Sequence, residues 1–334
     1  MTARFLFSAN YLKVCYNKPY KTKTEDIMDY SQILSQQFNI KEEYAKNIIT
    51  LLDDGNTIPF IARYRKEMHG SMDDQLIREF AEKLEYLRGL DKRRDEIRSL
   101  IDAQEKLTDE INLALDKAAT LSELEDIYRP YRPKRKTRAS IAKEKGLEPL
   151  ANDILKQEKG FDPSKSAADY IDEEKGVTSV EDAIQGAMDI IAELVSDNAE
   201  IRKRIRNLTN ANGVLVSVAT DEEKDSVYKN YYDYKEPVKK IAGHRVLAVN
   251  RGEKEGFLKV SVETDSEKPL NSIFRAMITD KNQLCSDIIR EACTDAYQRL
   301  IYPSIEREVR NDLTDVAAEN AMKVFAVNLK QLLM

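Results

Sequence analysis

Arg129, Arg132, Lys134, Arg135, Lys136 and Arg138 place six cations in ten consecutive positions, inside the stretch DIYRPYRPKRKTRASIAKEKGLEPLA from Asp126 to Ala151. Tyr128 and Tyr131 interleave with them, and Pro130 and Pro133 stiffen the backbone. The whole chain is acidic, at formal charge -6, so the stretch is a local positive field on a negative protein. Cations at this density do not fit a desolvated core, and they face water, phosphate or an acidic partner. The chemistry on offer is phosphate contact, with tyrosine rings on which bases stack. A structural account fits the composition equally well: Tyr128 and Tyr131 pack into a helical body while the cations pair with acids such as Glu125 or Asp126. Arg63, Arg65 and Lys66, at the end of NTIPFIARYRKE, form a smaller basic cluster of the same kind. Tyr228, Tyr231, Tyr232 and Tyr234, near Lys235, Lys239 and Lys240, are a further candidate, read here as a loop pinned on a sheet.

Residues for covalent or metal chemistry are missing from the pattern. The sequence holds no GxSxG, HExxH, Walker loop or GxGxxG. Its two histidines, His69 and His244, lie far apart with no cysteine or acidic cluster at ligand spacing, so neither zinc nor another cofactor is expected. Paired carboxylates such as Asp53-Asp54, Asp73-Asp74 and Glu173-Glu174 fall in helix-end or cap contexts, where a charge commonly has a structural role, and they are read as structural rather than catalytic. A metal-dependent nuclease needs convergent acids, and Glu253, Glu255 and Glu263 sit in or beside what reads as a solvent-exposed hairpin loop. The expectation is a protein that is not an enzyme.

Charged residues make up 34% and hydrophobic ones 42%, which is too apolar for disorder and too charged for a membrane protein. No apolar run approaches the roughly 20 residues of a spanning helix. Cys15, Cys285 and Cys293 form no CxxC pair; the last two lie on one predicted helix, about 12 Å apart along its axis at 1.5 Å per residue. That usage fits a reducing cytoplasm.

The elements that must carry these residues are mostly helices. Residues 1–27 read as a mobile extension: Asn10 and Lys13 interrupt the apolar part and no small-residue cleavage site follows, a poor fit to a signal peptide. Tyr44, Ile48, Leu51 and Leu52 recur at helical spacing up to Asp54-Gly55. Ser71, with Asp74, is expected to cap a long helix over Met72–Ala103, its buried stripe being Leu76, Phe80, Leu84, Leu87, Ile97, Leu100 and Ile101. Thr108 starts the next helix and Ser122, with Glu125, a short one. Pro149 allows a helix through Leu155, and Asp162-Pro163 opens another segment. Thr178 and Ser179 cap a strong helix expected to run to Arg202, Lys203, Arg204 and Arg206, whose charges would complement its dipole. Two segments alternate as strands: Gly213–Thr220, and Arg245–Thr264 with Arg251–Gly256 as a hairpin loop. Asp280 is expected to cap a helix to about Leu300, and Pro303 to start a last one through Ile305, Val309, Leu313, Val316, Ala317, Met322, Val324, Phe325, Leu329 and Leu332. The ending on LKQLLM without a cap suggests a piece of something longer.

GNTIPFIARYRKE, LEDIYRPYRPKRKTRASIAKEKGLEPLA, HRVLAVNRGEKEG and YPSIEREVRNDLTDVAAENAMKVFAVNLKQLLM, in that order, resemble the N-terminal half of the bacterial Tex family, the transcription accessory proteins. The resemblance covers about Met28–Met334 and leaves residues 1–27 without a counterpart. That family is similar in its helical core to the eukaryotic elongation factor Spt-six, which implies a role around RNA polymerase and nucleic acid. In the family this region is followed by an RNase H-like (YqgF-type) domain, helix-hairpin-helix elements and an S1 domain, none of which this chain contains.

The expected fold is therefore mainly α: an elongated multi-helix assembly with helix-turn-helix-like parts, a small antiparallel β insertion and a long C-terminal helix. Its divisions are expected at 28–118, 119–206 (with the basic stretch), 207–270 (the β insertion) and 271–334, the last leading towards the family's C-terminal half. The expected role is a non-catalytic scaffold with an auxiliary RNA- or DNA-contacting surface of Arg129, Tyr131, Arg132, Lys134, Arg135, Lys136 and Arg138, with Arg63, Arg65 and Lys66 as companions. The alternative is a protein-interaction scaffold that docks on RNA polymerase or on the family's own C-terminal domains. No membrane contact is expected.

Overall fold

The computed structural model describes residues 23–133, 135–279 and 281–333. Up to residue 22, the extension expected at 1–27 lies outside the described residues. The chain divides into two units, Met1–Arg132 and Pro133–Met334.

The first unit is built of α1 (Lys23–Phe38), α2 (Glu42–Asp53), α3 (Ile58–Tyr64), α4 (Asp74–Asp102), α5 (Asp109–Lys117) and α6 (Leu121–Tyr128). Its organiser is α4, at 29 residues about 43 Å long. Ile77, Phe80, Leu84 and Leu87 close a core with Leu34, Ile48, Ile49 and Ile61 from α1, α2 and α3. Leu90, Ile97 and Ile101 form another with Leu115, Leu124 and Tyr128 from α5 and α6. The predicted stripe needs one change. Leu100 is exposed, because the 3.6-residue period turns Ile97 and Ile101 inward together and rotates Leu100 off that face. The cap also moves. Asp73, not Ser71, accepts from the Leu76 N–H at 2.8 Å, and Ser71 sits at φ 62° in the loop before it. Thr108 caps α5 as expected, whereas α6 is capped by Thr120 rather than Ser122.

The second unit begins with α7 (Arg138–Glu144), α8 (Glu148–Lys156), α9 (Pro163–Ala168), α10 (Val180–Asp197) and α11 (Ala199–Asn212). Asp162 and Ser179 cap α9 and α10. The single helix expected through Arg206 is two, broken at Asn198, whose side chain accepts from the Ile201 N–H at 3.0 Å. The arginines consequently do not complement the dipole of α10. Arg202 and Arg206 are buried on α11, and Arg206 forks onto Glu308 with Nε to Oε1 at 2.6 Å and Nη2 to Oε2 at 3.2 Å.

A three-stranded antiparallel sheet comes next, in the order β2-β1-β3, from β1 (Val214–Ala219), β2 (Asp233–Pro237) and β3 (Leu258–Glu263). The register pairs Val214 with Pro237 on one side and with Glu263 on the other. The hairpin expected over Arg245–Thr264 is replaced by α12 (Gly243–Lys254) leading into β3. Val246 and Val249 are buried on one side of α12, and Gly256 at φ 79° lets the Phe257 N–H return to the Gly252 carbonyl at 2.9 Å. The run read as a hairpin loop is thus the last turn of a helix and its glycine stop.

The outer edge of β3 is closed by side chains. The Val260 and Val262 N–H groups donate to Glu253 and Glu306, each at 3.2 Å, while the Val260 carbonyl accepts from Arg310 at 3.0 Å and that of Val262 from the Tyr302 hydroxyl at 2.9 Å. These groups come from α12 and from α15 (Tyr302–Leu333), which is reached through α13 (Glu267–Met277) and α14 (Gln283–Asp295). Asn282 caps α14, accepting from the Cys285 N–H; Asp280, the expected cap, lies outside the described residues. A π-helical turn at Ala296–Ile301 joins α14 to α15 just before Pro303, where the missing N–H interrupts the i to i−4 ladder. Ile305, Val309 and Ala317 of α15 are buried, but Met322, Val324, Phe325, Val327, Leu332 and Leu333 are exposed.

Cys285 and Cys293 are both buried on α14 and free. Burial pushes the Cys293 thiol up to about 12. Thiolate is the reactive form, so neither residue should react with Ellman's reagent in the native protein at pH 8, and both should react in guanidinium. Prompt native labelling of either, seen by peptide mapping, contradicts this packing.

Candidate nucleic-acid interface

The basic stretch falls across the division between the two units, and each half has its own surroundings. In the first unit α6 runs into a 3-10 turn, Arg129–Tyr131. Tyr128 is buried, with the guanidinium groups of Arg93 and Arg132 each 5.8 Å from its ring centroid. Glu125 bonds both, at 2.7 Å to Arg93 Nε and 2.6 Å to Arg132 Nη2, and this bond holds the Arg93 guanidinium above its ordinary range. Gln104 donates to the Tyr131 carbonyl at 2.9 Å, and the Tyr131 ring packs against the core of Leu90, Ile97 and Ile101. Arg129 is half-buried and has a partner. Arg132 remains 58% exposed.

In the second unit Arg135, Lys136 and Arg138 are exposed, and Lys134 lies outside the described residues. Lys136 pairs with Glu144 at 3.4 Å and is 67% exposed. Thr137 and Ser140 form a reciprocal capping box at the start of α7, and the Thr137 hydroxyl donates to Glu193 at 3.1 Å. Burial raises the Asp189 carboxyl overall, against the opposing charges of Arg299 and, less strongly, Arg138.

The companion cluster is a separate place within the first unit. Pro59 stands in the first turn of α3, a position that needs no N–H donor. Arg63 and Tyr64 form the last turn, succeeded by Arg65 and a 3-10 turn from Lys66 to Met68. All four residues from Arg63 to Lys66 are exposed. The Arg65 guanidinium lies 5.4 Å from the Phe60 ring centroid, and the Tyr64 and Phe60 ring centroids are also 5.4 Å apart. The backbone just beyond Lys66 is pinned. Buried His69 bonds the Ile61 carbonyl through Nε2 at 3.1 Å, and Asn47 donates to the Met68 carbonyl at 3.0 Å. Gly70, at φ 64°, lies against Tyr44 so closely that a Cβ there would meet the ring at 2.6 Å. Gly70→Ala should therefore cost about 1 kcal/mol from the left-handed backbone, with added displacement of Tyr44. Urea denaturation checks this, and an unchanged midpoint would contradict it.

Sequence reasoning found the cations and missed their neighbours. Glu125 appeared only as a possible partner, while Arg93 and Phe60 were not singled out. A basic residue four or five positions from an aromatic on a short helix was the available signal for Phe60. Among the described residues no group of three or more His, Cys, Asp or Glu side chains is placed to hold a metal ion, and no helix is long and apolar enough to cross a membrane.

Residues 28–102 match the family model described as Tex-like protein N-terminal domain, and residues 158–325 match the one described as Tex central region-like. The chain is 43% identical over 314 residues to uncharacterized protein YdcI of Bacillus subtilis, covering 92% of this chain and 44% of that protein. It is 36% identical over 318 residues to transcriptional accessory protein Tex of Neisseria gonorrhoeae, covering 92% and 41% respectively. It is 31% identical over 332 residues to human S1 RNA-binding domain-containing protein 1, covering 94% of this chain and 33% of that protein. The chain thus spans between a third and a half of the length of these curated relatives.

Proposed function

The chain belongs to the Tex family, and from that premise we propose that it serves as a non-catalytic scaffold region of a transcription accessory protein, with an auxiliary surface for RNA or DNA. The observation that carries the nucleic-acid reading is the exposure of Arg132, Arg135, Lys136 and Arg138 on a chain of net charge -6. The ion pairs of Arg132 and Lys136 do not oppose it. Exposed pairs contribute only about 0–1 kcal/mol, so a phosphate can displace Glu125 or Glu144 at little cost. The names of two relatives, one a transcriptional accessory protein and one an S1 RNA-binding domain protein, point the same way.

Binding of this kind releases counterions and is read by its salt dependence. Neutralising Arg132, Lys134, Arg135 and Lys136 together should flatten the slope of log affinity against log salt by about 2 to 3, measured by fluorescence anisotropy. An unchanged slope would sink the role assigned to the stretch.

A second reading rests on α15. Its terminal half exposes Met322, Val324, Phe325 and Leu332, a run of apolar side chains of the kind that marks protein-interaction sites. On this reading the region docks on RNA polymerase, or on the portion that the longer relatives carry beyond the matched span. Purified polymerase, or that portion, retained by the immobilised chain while RNA and DNA are not, would favour it.

A further inference from the structure

We infer that the end of α3 is a stacking site for single-stranded nucleic acid, with Tyr64 as the base-stacking residue and Arg63, Arg65 and Lys66 as its phosphate contacts; this rests on the nucleic-acid reading above and deepens it.

Charge pairing across the first unit singles the place out. Arg78, Arg88, Arg93, Arg94, Arg98 and Arg132 each form an ion pair with an acid of the same unit, and Arg129 has a partner. Among the described residues of this unit, Arg63 and Arg65 are the arginines left without one. Lys66 joins them, and exposed Glu67 forms no ion pair with any of the three. An external anion must displace an acid to reach the six ion-paired arginines, at up to about 1 kcal/mol for an exposed pair, whereas Arg63 and Arg65 meet it with no such exchange.

The aromatic geometry selects the class of anion. Tyr64 is 65% exposed, a high value for a ring that a neighbouring core would normally absorb. Arg65 occupies Phe60, so Phe60 is the support and Tyr64 keeps an open face. Bases offer their faces only where they are unstacked, as in a single strand. An acidic peptide would use the cations and leave the ring idle. The site is also held in place. The His69, Asn47 and Gly70 contacts fix the backbone on its C-terminal side, and buried Ile61 anchors the helix from beneath. The ring and cations are thus presented on a fixed support, which lowers the ordering cost of binding.

The test uses the full chain with a labelled oligo(U) 20-mer, oligo(dT) of equal length and a duplex, in anisotropy titrations. Tyr64→Ala should weaken single-strand binding about 10-fold and leave its salt slope and the duplex affinity unchanged, while Tyr64→Phe retains wild-type binding. Neutralising Arg63, Arg65 and Lys66 to Gln should reduce the single-strand slope by about 2. Circular dichroism confirms that each variant folds. Three results would overturn the inference: single-strand binding unchanged in both variants, an equal loss on duplex, or capture of poly-glutamate abolished by the cation variant while RNA binding persists. If these variants bind normally but the Arg132, Lys134, Arg135 and Lys136 variant does not, the site fails and the broader reading stands. If the wild-type chain binds neither strand form, both fall.

Discussion

Replacing Glu308 with alanine is expected to lower the unfolding free energy by about 3 kcal/mol. The Arg206 side chain is 11% exposed and that of Glu308 21%, and the two form a forked pair linking α11 to α15. The attraction is partly repaid desolvation, so the intact pair need not add much net stability. Removing only the carboxylate is different, because a buried guanidinium loses the acid that forks onto it and keeps only its remaining contact and the more distant charge of Asp312. The discriminating variant replaces both residues with leucine. It should recover to within about 1 kcal/mol of wild type in urea denaturation, because the poorly compensated buried charge is gone. A double variant no more stable than Glu308→Ala would show that the alanine effect comes from lost packing.

Arg310→Ala should cost about 2 kcal/mol, through the sheet rather than through a charge pair. Arg310 donates to the Val260 carbonyl at 3.0 Å and to both carboxylate oxygens of Glu253, which itself accepts from the Val260 N–H. Its loss exposes a backbone carbonyl on the outer edge of β3 and frees the acid that holds the adjacent N–H. Hydrogen exchange at Val260 and Val262 should quicken before any change is seen at the β1 amides. Arg310→Lys keeps the charge but not the fork, and should recover only part of the stability. Unchanged exchange at Val260 would mean that the edge does not depend on this side chain.

Those two arginines show why some of the fold was legible in the sequence and some was not. The helix start at Thr108, the segment opening at Asp162 and the cap at Ser179 were readable because the signal is local: a side-chain oxygen serves an N–H two or three residues on. Ser71 was read as the cap where Asp73 is, since both residue types cap and the apolar run starts just beyond either. The segment RVLAVN alternates enough to pass for a strand, and helix and strand periods overlap in so short a run. The helix formers before Gly256 were the signal that would have separated them. Strand β2 has the composition DYKEP, and nothing in it announces a strand; its pairing with β1 makes it one. At the candidate site the charge was plain but its pairing was not. Glu125 reaches Arg132 across seven positions, yet Arg93 arrives from 32 positions away along α4, and no local pattern reports that.

The closed edge of β3 also has a bearing on biogenesis. Strand β3 finds its partner β1 only after α12 has been made, and the Val260 carbonyl and both outer groups of Val262 must wait for Tyr302, Glu306 and Arg310, some 40 to 50 residues further along the chain. A nascent chain that has released the sheet but not yet α15 carries an open strand edge, which is a template for pairing with the wrong partner. The long helix is therefore the strand's last chaperone as well as its neighbour.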